Sequence, residues 1–407
     1  MRSSGHFRAL SNGNFRLWLT GTTVSNLGTW LQRTAQDWLV LTQLTHQDAA
    51  AVGVVMALQF APQLVLLPWI GMAADIYDRR KLLMITQALM GLLALILGIL
   101  TISGWVALWQ VYVFALLFGC VSAFDMPTRQ SFVFDLVGER HLPNAIALNS
   151  TSFNASRLVG PAIAGILIAA LGTGWAFVAN GLSFLGVLVS LFFLRTQHIH
   201  VSERGMSDSG GLFGGFRYIS ADADLRTMMI MLALIGVFAL NSAIFISTMA
   251  VGVFHADAAT YGLLSSVMAM GSITGALLAA GRERPHFSLL HRAAFLLAGA
   301  CLCAALAPAL WLFGAALVVM GIAILTIMNG STSLTQLLTA PAMRGRTMAL
   351  RLGVTLGGTA IGAPILGGVV NLFGPRAALI VAAVAAAVAG AIGMRHMRLK
   401  DKGANAG

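Results

Sequence analysis

A few charged residues stand where the sequence is otherwise apolar, and their spacing limits the chemistry they can do. Asn26, Trp30, Arg33 and Asp37 recur at intervals of four, three and four, which places them on one stripe of a helix. Gln32 and Gln36 border that stripe. A carboxylate in this setting is a candidate proton carrier, provided its surroundings let it become neutral near physiological pH. Arg33 is also placed to pair with Asp37, and a paired carboxylate stays charged and carries protons poorly. Asp37 lies about one helical turn (~5.4 Å) from the end of its apolar run, so contact with water is the competing reading. Arg157 falls near the middle of another apolar run, with Asn154 and Ser150 on its face. Either it meets a substrate or coupling group in a cavity, or it ties its helix to a neighbouring span. Gln59 and Gln63 add polar groups that suit a cavity lining or helix–helix hydrogen bonds equally well.

The elements that carry these residues follow from composition. Of 407 residues, 58% are hydrophobic and 10% charged, and the mean hydropathy is +0.84. Soluble domains carry about 25% charged residues, so too little charge is present to coat a globule in water. Apolar runs long enough to cross a bilayer, about 20 residues each, occur twelve times. They lie at roughly 17–41, 51–74, 82–103, 107–127, 144–170, 174–195, 226–250, 258–281, 290–309, 311–336, 347–371 and 374–394. The spacing predicts an all-α integral membrane protein with twelve transmembrane helices. Residues 1–195 form a six-helix bundle, 196–225 a polar linker, and 226–407 a second bundle with a tail.

A net charge of +11 first suggests a nucleic-acid surface, and the placement of the bases removes that reading. Arg33 and Arg157 lie inside spans and Arg376 on one side, which leaves 22 of the 25 Lys and Arg residues on the other. By the positive-inside rule both termini and the linker are cytoplasmic. The halves also repeat. A shift of 202 positions brings Gly119 onto Gly321, Gly160 onto Gly362, Gly165 onto Gly367 and Leu171-Gly172 onto Phe373-Gly374. A six-helix repeat in the same orientation places a pseudo-twofold axis along the membrane normal. Secondary transporters use that design, with the substrate near the midplane between halves.

Particular motifs sharpen this. After the second run comes Gly71-Met-Ala-Ala-Asp75-Ile-Tyr-Asp78-Arg79-Arg80-Lys81, which resembles the signature loop of the major facilitator superfamily. It departs from that pattern at Ile76 and Asp78, and its counterpart Gly281-Arg-Glu-Arg284 is degenerate. The resemblance implies a conformational latch made by Gly71, Asp75, Arg79 and an acid at the end of span 4, where Asp125 is the expected partner. Phe124-Asp125-Met-Pro127-Thr-Arg129 and Phe153-Asn154-Ala-Ser-Arg157-Leu-Val-Gly160-Pro161-Ala-Ile-Ala-Gly165 resemble the drug and siderophore exporters of the same superfamily. Gly160, Pro161 and Gly165 are similar to the antiporter motif of span 5, where small residues and a proline permit close approach and bending. Ordinary helix packing is the alternative.

No Walker loop, His-Glu-x-x-His helix or Gly-x-Ser-x-Gly elbow is present, so an enzyme, an ATP-driven pump and a resident metal or cofactor are not expected. His198 and His200 read as a solvated loop, and Cys120, Cys301 and Cys303 as small core residues. The combined reading is a monomeric major-facilitator transporter of the plasma or inner membrane. It exports a small organic compound by alternating access and proton antiport, with the bilayer, protons and a small-molecule substrate as partners and no nucleic acid. An importer or facilitator on the same fold, or a non-transporting membrane sensor, is the alternative.

Overall fold

The computed structural model describes residues 5–66, 69–70, 77–194, 211–280 and 286–404. The helices are α1 (Gly13–Trp38), α2 (Ala49–Val65), α3 (Arg79–Ile102), α4 (Leu108–Leu171), α5 (Thr173–Phe192), α6 (Gly211–Ala221) and α7 (Ala223–Phe238). They continue with α8 (Ser242–Gly252), α9 (Ala258–Ala280), α10 (Phe287–Leu306), α11 (Leu310–Leu338), α12 (Arg344–Phe373) and α13 (Pro375–Ala404). Among the described residues nine segments are long and apolar enough to cross a membrane. Each of the twelve runs read from the sequence nevertheless coincides with helix among the described residues, with 67–68, 71–74, 195 and 281 lying outside them. The 64-residue α4 holds two of them, broken at Gly138 where φ is 67°. α1 carries too many polar groups to count as apolar, and α2 is short, at 17 residues.

Side chains set the helix limits. Asn12 accepts hydrogen bonds from the Asn14 and Phe15 amides to start α1, and Asp78 and Asp222 cap α3 and α7 in the same way. Gly172 and Gly374, which coincide under the 202-residue shift, end α4 and α12 with φ of 92° and 86°. The repeat therefore extends to a left-handed backbone turn that favours glycine. Along α3, Ile85, Leu89, Leu92, Ile96 and Ile99 are exposed at alternating intervals of four and three. Such a stripe is stable against lipid, and the protein is a multi-pass membrane protein.

Two features differ from the sequence expectation. The run at 226–250 is not one helix: α7 ends at Phe238 and α8 begins at Ser242. The Asn241 amide competes for the backbone there, donating to the Val237 carbonyl at 2.8 Å. Of the three free cysteines only Cys301 is a core residue; Cys120 is half-buried and Cys303 is exposed. From the 196–225 linker, residues 211–221 form α6, and 196–210, with His198 and His200, lie outside the described residues.

The chain packs as two compact units. Unit 1 comprises Met1–Thr45, Ala61–Met206 and Asp257–Ser266; unit 2 comprises His46–Phe60, Ser207–Ala256 and Val267–Gly407. In unit 1 the core gathers Phe15, Trp18, Leu83, Phe132, Leu136 and Leu191, with Trp18 edge-on to Phe132 at 5.1 Å. In unit 2 it includes Phe245, Leu297, Phe313 and Leu317.

Candidate functional site

The rotation of α1 decides which residues are available for chemistry. Its glycine face lies against α5: a Cβ at Gly21 would meet the Gly186 carbonyl at 2.6 Å, and one at Gly28 would collide with Ser183 and Asn180. Asn180 also donates to Gln32 at 2.6 Å. With that face fixed, Trp30, Arg33 and Asp37 are presented to the second arm of α4 and to the start of α9.

Trp30 is the centre of the cluster. Its Cβ stands 2.6 Å from where a Cβ on Gly160 would be, so only glycine fits there. Phe153 meets the indole edge-on at 6.0 Å. The guanidinium carbons of Arg33 and Arg157 lie over the same indole, 5.2 and 5.6 Å from its centroid. Cation–π contacts of this kind contribute about 0.5–2 kcal/mol, the larger values where water is excluded. Arg33 is also electrostatically coupled to Asp37.

Asp37 accepts a hydrogen bond at 3.2 Å from the hydroxyl of Tyr261, near the start of α9. The Tyr261 ring is stacked on Trp38, 5.8 Å away with a 22° interplanar angle. The antiporter-like residues meet the same segment. A Cβ on Gly165 would lie 2.5 Å from the Ala258 carbonyl, and one on Gly262 would strike the Pro161 carbonyl. Backbone thus touches backbone where the second arm of α4 passes residues 257–266.

The remaining sequence candidates are dispersed. Asn154 donates to the Ser150 carbonyl of its own helix at 2.8 Å, one turn before Arg157. Asn26, Gln59 and Gln63 are half-buried, and no side-chain hydrogen bond is recorded for them among the described residues. Gly71 and Asp75 of the expected latch lie outside the described residues.

The latch itself needs a correction. Arg79 does not pair with Asp125; its Nη1 donates to both carboxylate oxygens of Asp135, at 2.8 and 3.0 Å. Asp125 instead accepts from Arg129 at 2.6 Å, Thr86 at 2.7 Å and Gln87 at 2.6 Å. The reason is helix length. The first arm of α4 continues past Pro127 to the break at Gly138, and α3 runs antiparallel to it. The start of α3 is therefore level with Asp135, while Asp125 is level with residues two turns further along. Arg80 secures the same end through the Leu191 and Phe192 carbonyls, at 2.9 and 3.1 Å.

Sequence reasoning passed over Asp135, Arg129, Tyr261 and Trp38. The four-residue spacing of Asp125 and Arg129 was a usable signal. So was Tyr261, one of four tyrosines in the chain, set in an apolar run.

The family model for transmembrane secretion effectors, a branch of the major facilitator superfamily, matches residues 4–406. The chain belongs to this family. It is similar to a staphyloferrin A transporter from Staphylococcus aureus, 34% identical over 40% of this chain and 42% of the relative. The chain thus matches less than half the length of that relative. A longer match joins it to an enterobactin exporter from Citrobacter koseri, 24% identical over 86% of this chain and 83% of the exporter. The multidrug efflux pump Tap of Mycolicibacterium fortuitum is 28% identical over 54% of this chain and 55% of its own. Among solved structures, a bacterial homologue of the human lysosomal transporter Spinster superposes with a TM-score of 0.74 at 17% identity, covering 95% of this chain and 98% of that one. The nucleoside transporter NupG gives 0.71 at 15% identity, over 97% and 99%. Both show the same fold as this chain: an all-α bundle of the major facilitator type.

Proposed function

We propose that this transporter exports a small organic compound from the cell by alternating access, driven by inward proton flow through Asp37. The observation that carries the reading is Asp37 itself, an acid within a spanning helix, bonded to Tyr261 and grouped with Arg33 and Arg157 around Trp30. A charge in the hydrocarbon costs at least about 2.5–3.5 kcal/mol, so a carboxylate and two guanidinium groups kept together there point to work that needs them. The activities of the relatives, enterobactin export and multidrug efflux, support the direction of transport.

In this reading Asp37 alternates between a charged and a neutral form as it exchanges its proton between the two sides. Arg33 holds its charged form in place, and Arg157 meets substrate from the facing helix. Asn26, Asn154, Gln59 and Gln63 supply further polar contacts. Gly160, Pro161 and Gly165 act as the hinge, while Arg79 with Gly71 and Asp75 latches the cytoplasmic side, Asp125 bracing it through Arg129. The protein works as a monomer in the plasma or inner membrane with both termini cytoplasmic. Everted vesicles from an efflux-deficient host test this with a panel of dyes and antibiotics. Uptake that depends on the pH gradient and is abolished by an uncoupler is expected; no gradient-dependent uptake of any compound rejects proton antiport.

A further inference from the structure

Residues 257–266 come from the second half of the sequence yet pack within unit 1. The reverse exchange also occurs, since residues 46–60 pack within unit 2. The two junctions are equivalent under the repeat. Gly262 lies against the Pro161 carbonyl and Gly165 against Ala258; Gly53 lies against the Ala363 carbonyl and Gly367 against Ala49. Pro161 falls on Ala363, and Gly165 on Gly367, at the shift of 202. Both are contacts of backbone on backbone. What differs is the polar fastener.

In unit 2 the fastener has two points: Asn371 donates to Asp48 at 2.6 Å and accepts from the Ala49 amide at 2.9 Å. In unit 1 a single side-chain hydrogen bond, Tyr261 to Asp37, joins residues 257–266 to α1 or α4 among the described residues. Tyr261 is 2% exposed and its ring is held by Trp38, so the hydroxyl has no ready exchange with water.

From this asymmetry we infer that Tyr261 is a positioning residue of the transport cycle, whose bond to Asp37 holds residues 257–266 against α1 and α4 until Asp37 takes up a proton. The inference rests on the proposed coupling role of Asp37. A hydrogen bond to a carboxylate is roughly twice as strong as one between neutral groups, so protonation weakens this hold. The charged groups facing Asp37 act in the same sense. Arg33 on α1 and Arg157 on α4 share the Trp30 indole, and a neutral Asp37 no longer offsets the repulsion between these two like charges. The close glycine contacts and the stacking of Tyr261 on Trp38 then carry the junction without the charged hydrogen bond. Proton binding at Asp37 and closure of this junction oppose each other, and the linkage is reciprocal.

Hydrogen exchange on the purified full-length protein tests the idea with Tyr261→Phe and Asp37→Asn. Both variants are expected to speed exchange in residues 257–266 by roughly tenfold and to leave residues 46–60 as in the unaltered protein. In everted vesicles, Tyr261→Phe should also move the pH midpoint of uptake upward by about one unit, a change that a purely structural role would not produce. If Tyr261→Phe leaves both the exchange of 257–266 and the midpoint unchanged, the inference is overturned. If Asp37→Asn keeps gradient-driven uptake, the coupling role of Asp37 fails instead, and the exchange rates alone still decide whether Tyr261 fastens the segment.

Discussion

Removing the carboxylate of Asp135 strips the Arg79 guanidinium of its partner at the start of α3. Arg79 Nη1 lies 2.8 and 3.0 Å from the two carboxylate oxygens, and the two side chains keep 20% and 8% of their exposure. Breaking one side of a fully buried pair costs about 3–5 kcal/mol, whereas an exposed pair is worth less than about 1 kcal/mol. Partial exposure of Arg79 places Asp135→Ala between these limits, at about 2 kcal/mol. A double-mutant cycle with Arg79→Ala isolates the pair and should give a coupling of at least about 1 kcal/mol. The assay is unfolding of the purified protein by SDS in mixed micelles, followed by tryptophan fluorescence. A parallel cycle of Arg79→Ala with Asp125→Ala should be additive within about 0.5 kcal/mol, because Asp125 is held by Arg129, Thr86 and Gln87. Coupling at Asp125 together with additivity at Asp135 would refute the pairing and the antiparallel register of α3 and α4 behind it.

Other consequences are simpler to state. Gly262→Ala places a methyl group against the Pro161 carbonyl and should destabilise by about 1–3 kcal/mol. Gly299→Ala, where nothing lies within 4 Å, should be neutral or stabilise by up to about 1 kcal/mol, both variants being measured by the same SDS unfolding assay. Asp257 precedes α9, and hydrogen bonds from the Thr260 side chain and amide hold its carboxyl below the usual carboxylate value. A depressed value means that the cap contributes fully at neutral pH and is lost as pH falls through the folded-state value. The stability difference between the unaltered protein and Asp257→Ala should therefore shrink on acidification below the normal carboxylate range, measured as the difference in melting temperature.

The architecture was legible because membrane helices are recognised by sums over about 20 residues, and such sums tolerate local errors. The repeat was legible for a different reason. Gly165 and Gly367, or Gly172 and Gly374, are fixed by close backbone approach or left-handed turns that no other residue meets cheaply. The partners of charged residues were less accessible. Arg79 meets Asp135 rather than Asp125 because the first arm of α4 outlasts its apolar run by about three turns (~15 Å), and hydropathy does not report where a helix ends once it leaves the hydrocarbon. The α7–α8 break likewise depends on one amide, Asn241, capturing a backbone carbonyl within an apolar stretch. Around Asp37, helical spacing pointed to Trp30 and Arg33, whereas Arg157 stood out only as a charge in another apolar run and its place over Trp30 comes from the fold. Tyr261 comes from 224 positions away, and no local pattern brings it to α1.

The central claim, that Asp37 couples proton entry to export, is most directly tested by uptake into everted vesicles carrying either the unaltered transporter or Asp37→Asn at equal expression. An imposed pH gradient should drive uptake of a transported dye in the first and not in the second, while exchange of the dye down its own gradient persists in both. Full gradient-driven uptake by Asp37→Asn would contradict the claim.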